Sequence, residues 1–147
     1  MSSDDSYDYV IVGAGKTAMD SCLFLLQNGV NPANITWIMP RDSWLLDRAA
    51  LQPGTLFHES LGEYSTRQVE AIAAANSVED VLERVEKTGL LIRFSDDVWP
   101  TMYRCATVTR EEYEQLKRIT GIVRMGRVQS IDATQIVLEE GTVANPP

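Results

Sequence analysis

The chain has 147 residues, enough for one domain with a real core, and its 44% hydrophobic and 23% charged residues are ordinary for a globular protein. A formal net charge of −8 speaks against nucleic acid as a partner, and the lack of any run of about 18 apolar residues argues against a transmembrane helix or a membrane partner. One histidine and two distant cysteines, Cys22 and Cys105, leave no His-based metal cluster and no C-x-x-C pair, and they set a free-thiol, cytoplasmic expectation.

In chain order, residues 1–7 are polar and acidic, with neither a signal nor a transit pattern, and read as a disordered lead-in. Residues 8–147 read as a single domain. Val10, Ile11 and Val12 form the continuous apolar run of a parallel strand buried on both faces. A turn of Gly13, Ala14 and Gly15 follows. Thr17–Asn28 then reads as a helix with Leu23 and Leu26 toward the sheet and Gly29 at its C-terminal end. Ile35–Met39 is a second strand, which completes a β-α-β unit of about 30 residues.

Gly13-x-Gly15-x-x-Ala18 is the G-x-G-x-x-A form of the dinucleotide-binding fingerprint. Gly13 permits the sharp turn. Gly15 lets a pyrophosphate approach the backbone, and Ala18 lets the helix pack closely on the strand. The helix start offers unpaired N–H groups and a positive dipole end to phosphates. Lys16 and Thr17 can donate to the same pyrophosphate, although a solvated charge explains Lys16 nearly as well. Gly15-Lys16-Thr17 also imitates the end of a P-loop, but that motif needs a glycine where Val10 stands, so a nucleoside-triphosphatase reading is rejected. At the tip of the second strand, Met39-Pro40-Arg41-Asp42 places a guanidinium where NAD sites carry a carboxylate. Arg41 can bind a 2′-phosphate bidentately and argues for NADP; Asp42 pointing inward in its place would restore NAD. Arg48 is a second candidate clamp, with a structural role the simpler reading.

Residues 40–63 form a long connection rich in apolar side chains, from Trp44, Leu45 and Leu46 to Leu56 and Phe57, with a turn at Pro53-Gly54. His58 beside Glu59 has the letters of an acid–base pair, but no nucleophile accompanies it, and a surface histidine is the better reading. Ser65–Asn76 is an alanine-rich helix with Val69, Ile72 and Ala73 at helical spacing. Ser77 opens a second helix through Lys87, ended by Gly89, and the two read as a helical hairpin. Residues 90–94 read as either a short strand or a continuation into a loop, with a loop or helix end preferred, and Trp99–Arg104 as irregular. Thr109-x-x-Glu112 is a capping box opening a helix through Ile119; Gly121 ends it, and Ile122–Met125 is a strand able to lie parallel to the first two. Both flanks of Glu140-Gly141 alternate apolar and polar, the pattern of a hairpin.

Gly13 to Asp20, the strand Ile35–Met39, and Arg41 with Trp44 three residues on resemble the NADPH-binding domain of FAD-dependent oxidoreductases, the flavin-containing and Baeyer–Villiger monooxygenases among them. Residues 8–48 carry the resemblance well, and 120–143 loosely. It implies an α/β, Rossmann-like three-layer fold: a central parallel sheet, a helical insertion after the second strand, and a late β-hairpin or meander. It also implies NADPH held by Gly13, Ala14, Gly15, Lys16, Thr17, Ala18 and Arg41, with the nicotinamide placed to reduce a flavin. Such enzymes carry two glycine fingerprints and this chain carries one, so the resemblance implies an excised or truncated domain whose FAD-binding domain lies elsewhere in a parent chain. No catalytic residue and no metal ligand is assigned, and turnover by this chain alone is in doubt. The alternative is an interaction module that binds no nucleotide and presents its tryptophans and residues 99–103. A self-contained reductase is a third reading; Tyr113-x-x-x-Lys117 supplies its letters but lies on a helix without a serine partner.

Overall fold

The computed structural model describes residues 7–51 and 58–146. The expected lead-in, the Pro53-Gly54 turn and the side chains of Leu56, Phe57, His58 and Glu59 lie outside the described residues. The elements are β1 (Tyr9–Val12), α1 (Lys16–Gln27), β2 (Ile35–Ile38), β3 (Ser43–Asp47), α2 (His58–Ala73), α3 (Val78–Lys87), β4 (Leu91–Ile92), β5 (Met102–Val108), α4 (Arg110–Leu116), β6 (Gly121–Val123), β7 (Val128–Ile131), β8 (Gln135–Leu138) and β9 (Gly141–Ala144). They fall into two compact units. One runs to Asp42 and resumes at Glu111; the other is Ser43–Arg110.

The expectation of a Rossmann-like fold around one central parallel sheet is overturned. The described strands form three separate three-stranded sheets: parallel β1-β2-β6, mixed β4-β3-β5 and antiparallel β7-β8-β9. Two causes are physical. The segment after β2 is not a purely helical insertion, because Ser43–Asp47 is buried along its whole length and pairs parallel to β5 and antiparallel to β4. In addition, one face of the parallel sheet is covered by strands in place of helices.

Within the first unit, β1, β2 and β6 pair in parallel, with Val12 opposite Ile38 and Ile38 opposite Val123. Successive side chains alternate between faces. Val10, Ile38 and Val123 therefore share one face, where they pack against Ile136, Leu138, Val128 and Val143 of the meander β7-β8-β9. Tyr9 and Ile11 lie on the other face, beside Phe24 and Leu25 of α1. β1 is not buried on both faces: Val12 is 47% exposed. Helix α1 buries Ala18, Met19, Cys22, Leu23 and Leu26. It ends as expected at Gly29, whose N–H donates to the Leu26 carbonyl at 3.1 Å while that of Val30 reaches Leu25 at 3.1 Å, a Schellman closure.

Within the second unit, Trp44, Leu46, Ala50, Val85, Leu90 and Leu91 form a core onto which Tyr64, Ala71, Val81 and Leu82 pack. The paired helices match expectation, and Ser77 caps α3 by accepting from the Asp80 N–H at 3.1 Å. The buried stripe of α2 does not match: Val69 and Ile72 are 67% and 53% exposed, and Tyr64 and Ala71 face the core instead. Residues 91–92 are a short strand, the alternative to the preferred loop.

Gly121 opens β6 and does not close a helix. A Cβ there would sit 2.7 Å from the Ile35 carbonyl oxygen, a backbone atom of the neighbouring strand. Gly121→Ala is expected to lower the unfolding free energy by about 1–3 kcal/mol in urea denaturation, since the sheet must spread to admit the methyl; an unchanged midpoint would contradict the close approach. Cys22 is fully buried, and burial pushes its thiol from 9.0 up to about 12. The unfolded thiol ionises first, so this group is neutral to stability below pH 9.0 and weakens the fold as pH rises toward 12. A disulfide-exchange reagent at pH 8 should therefore titrate only the exposed Cys105 in the native chain, and both thiols in denaturant.

Candidate functional site

The parallel strands end on one side of the first unit, and the candidate residues gather at those carboxyl ends, where open α/β sheets bind ligands. β1 leads into Gly13, β2 into Arg41 and Asp42, and β6 into Arg124. The glycine turn is fixed by β2. The Gly13 N–H donates to the Ile38 carbonyl at 2.8 Å, and the Gly13 carbonyl accepts from the indole nitrogen of Trp37 at 2.7 Å. Gly13 has φ +122°, a conformation that side chains resist, so the residue is required by the backbone itself. A Cβ built at Gly13 would lie 3.8 Å from the Ala18 Cβ, an ordinary contact, so it is the backbone conformation and not crowding that asks for glycine.

Gly15 is different. It is the N-cap of α1 with φ −94° and ψ 176°, ordinary extended backbone, and no heavy atom of the described residues lies within 4 Å of a Cβ built there. No side chain caps the helix, and its first turn holds no acidic residue. The first-turn N–H groups, including those of Lys16, Thr17 and Ala18, have no intrahelical acceptor. Ala14 and Gly15 form the half-buried turn; Thr17 is exposed. Lys16 is paired with Asp20 one turn along the helix, which partly offsets its charge.

At the tip of β2 the two charged neighbours part. Arg41 is exposed and engages no partner among the described residues. Asp42 is 5% exposed and is held in a fork by Arg124, Nε donating to one carboxylate oxygen at 2.7 Å and Nη2 to the other at 2.9 Å. The carboxylate in turn raises the guanidinium pKa of Arg124. Arg124 was not singled out from the sequence. Its one signal was position, directly after the third parallel strand.

Arg48 belongs to the other unit and donates to the Thr107 carbonyl at 3.5 Å, a structural role. Trp44 is a core residue there, edge-on to Trp99 with ring centres 5.2 Å apart. Of the tryptophans proposed as a contact surface, Trp37 and Trp44 are buried and Trp99 is partly exposed. Tyr113 is buried with the Lys117 ammonium 5.3 Å from its ring centre, a packing contact on α4. Among the described residues no group of His, Cys, Asp and Glu could hold a metal, and no helix is long and apolar enough to cross a membrane. The second unit also carries a groove of about 510 Å³ lined by Trp44, Ile72, Val78, Val81, Met102 and Tyr103 among others.

No family model matches the chain, and no solved structure matches it with significance. Uncharacterized proteins of Mycobacterium bovis and of two Mycobacterium tuberculosis strains, CDC 1551 and H37Rv, are 56% identical to it over 139 residues, 95% of this chain. The chain spans 26% of the length of these curated relatives.

The Trp37 contact predicts that Trp37→Phe, which removes the donor together with part of the buried indole, leaves the Gly13 carbonyl unsatisfied and lowers stability by at least about 1–3 kcal/mol in urea denaturation. Full stability in that variant would show that the turn does not depend on the indole bond.

Proposed function

We propose that the chain is the NADPH-binding part of a longer, cytoplasmic FAD-dependent oxidoreductase of the monooxygenase-like type. Gly13–Ala18 would receive the pyrophosphate on backbone N–H groups, and Arg41 the 2′-phosphate. These residues would bind and orient the dinucleotide, whose nicotinamide would supply hydride to a flavin held by another part of the parent protein. The reach of the relatives, of which this chain spans 26%, supports a larger parent.

The observation that carries the reading is Gly15. The fold does not need a glycine there: φ is ordinary and a Cβ would meet open space. Serine or asparagine would cap the helix better by a few tenths of a kcal/mol. A bare N-cap facing open space fits a site kept clear for a phosphate. Asp42 turns inward, the placement that would restore NAD, but Arg124 engages both of its carboxylate oxygens, and the free guanidinium of Arg41 supports NADPH over NADH.

A second reading keeps the chain as an interaction module. It rests on the groove of the Ser43–Arg110 unit, where Ile72, Val78 and Tyr103 are all more than half exposed.

Calorimetric titration with NADPH and NADH separates the two. Binding that prefers NADPH is expected, with Arg41→Ala weakening NADPH about 10- to 100-fold, the loss of a charge-assisted phosphate contact, and leaving NADH nearly unchanged. Gly15→Ser should leave the thermal midpoint equal or slightly raised while it weakens both nucleotides. No binding of either nucleotide would leave the interaction module standing.

A further inference from the structure

We propose that the outer edge of β1 is a docking surface for a further β-strand, supplied by a part of the longer parent protein outside this chain and apolar on the side that meets α1. The inference rests on the parent being longer than this chain and not on nucleotide binding.

The edge is read from the ladder. In the parallel sheet β1-β2-β6, β1 has one strand neighbour among the described residues. Val12 lies opposite Ile38, and the Gly13 N–H donates to the Ile38 carbonyl at 2.8 Å. Along a strand the backbone N–H and C=O groups of successive residues point to alternate sides. The groups of Tyr9 and Ile11 therefore point toward β2, as the Gly13 N–H does, and those of Val10 and Val12 point to the outer edge. Such a row is a template for another strand. Tyr9–Val12 carries no charge, no proline and no register shift, the devices that keep edge strands from pairing.

The side chains agree with the backbone. Val12 is 47% exposed, Tyr7 just before the strand 63%, and Phe24 of α1 64%. The opposite edge strand, β6, shows no such cluster: Gly121, Ile122 and Val123 are all half-buried. Among the strands of this sheet, α1 lies closest against β1. A helix about 10 Å wide centred on an edge strand overhangs it, since strands are spaced about 4.8 Å apart. Beneath the overhang is a groove of about 420 Å³, between Tyr9 and Ile11 of β1 and Ser21, Phe24 and Leu25 of α1. A strand laid along β1 would place alternate side chains under Phe24 and Leu25 and the others beside Val12. The matched region is 26% of the length of relatives that are 56% identical to the chain, so most of such a protein is polypeptide able to supply the strand. A tethered strand acts at an effective concentration of about millimolar when its linker is short, which favours it over a second copy pairing edge to edge.

Hydrogen exchange resolved to single amides on the full-length parent protein tests this. The Val10 and Val12 amides should exchange within about tenfold of the Ile11 amide, which already lies in the β1–β2 ladder. In the isolated 147-residue chain they should exchange on the order of 100-fold faster than Ile11. Phe24→Gln in the parent should speed exchange at Val10 and Val12 on the order of tenfold and leave Ile11 nearly unchanged. Val12→Thr repeats the test if that variant does not fold. Free exchange of Val10 and Val12 in the parent overturns the proposal. Protection that rises with protein concentration assigns the edge to a second copy and overturns it too. So does protection that persists in the isolated chain at high dilution, because this chain's own residues would then cover the edge. If the isolated chain does not fold, the parent and its Phe24→Gln variant decide.

Discussion

Both polar groups of Gly13 are tied to the neighbouring strand, the N–H to the Ile38 carbonyl and the carbonyl to the Trp37 indole. A β-strand that must hand its chain to a helix within three residues has little room to adjust. These two bonds choose the turn, and the turn then demands φ +122°. The start of α1 follows from that choice. Its first-turn amides sit past the strand end, beyond the ladder that would otherwise consume them, and Gly15 leaves the approach to them open. Trp37 is fully buried, so its indole donor is in place before any ligand arrives. The turn is held by the core beneath it.

The second constraint is electrostatic. The chain carries a net charge of −8, yet the ends of its parallel strands hold Arg41, Arg124 and a carboxylate that is already engaged. A buried ion pair is a weak source of stability, because desolvation offsets much of the attraction. Here it ties the chain beyond β2 to the end of β6. Removing one partner would strand the other in a site where it is poorly solvated, which couples the integrity of the strand ends to the local potential.

The parallel β-α-β unit was legible because its signals are local. A continuous apolar run, a glycine turn and a helical period each occupy a few adjacent residues, and the two β2 bonds to Gly13 then had only to fix the turn they imply. The late meander was legible for the same reason, with Ile136 and Leu138 alternating inward. The second unit was not. Ser43–Asp47 is buried at every position, so it shows neither the period of two nor the period of 3.6, and its Asp47 reads as a loop residue until Arg110 is seen donating to it at 2.7 Å. β5 hides its alternation behind a bulge: Trp44 pairs with Tyr103 but Leu45 pairs with Ala106, and Cys105 between them takes φ +52°. The stripe of α2 misled because Val69 and Ile72 have the spacing of a core face and are exposed. Gly13–Ala18 came from pattern alone, whereas Arg124 had only its position after the third parallel strand as a signal, and its partner Asp42 lies far away in sequence.

The proposed site of amides and one guanidinium separates residues that the fold requires from residues that it does not. Gly13, Trp37 and Gly121 answer to the backbone: a positive φ, an indole bond and a strand 2.7 Å away. Gly15 and Arg41 answer to nothing in the protein that the described residues reveal. Where the fold dictates a residue, its change is felt as lost stability whether or not a ligand exists. Where the fold is indifferent and a better-capping residue was available, the choice of glycine points outside the chain. The same reasoning bears on Lys16, and it gives a weaker answer. Its ammonium already has Asp20 as a partner, so its presence is explained without a phosphate, and the weight of the nucleotide reading falls on the bare N-cap and on the guanidinium at the neighbouring strand tip.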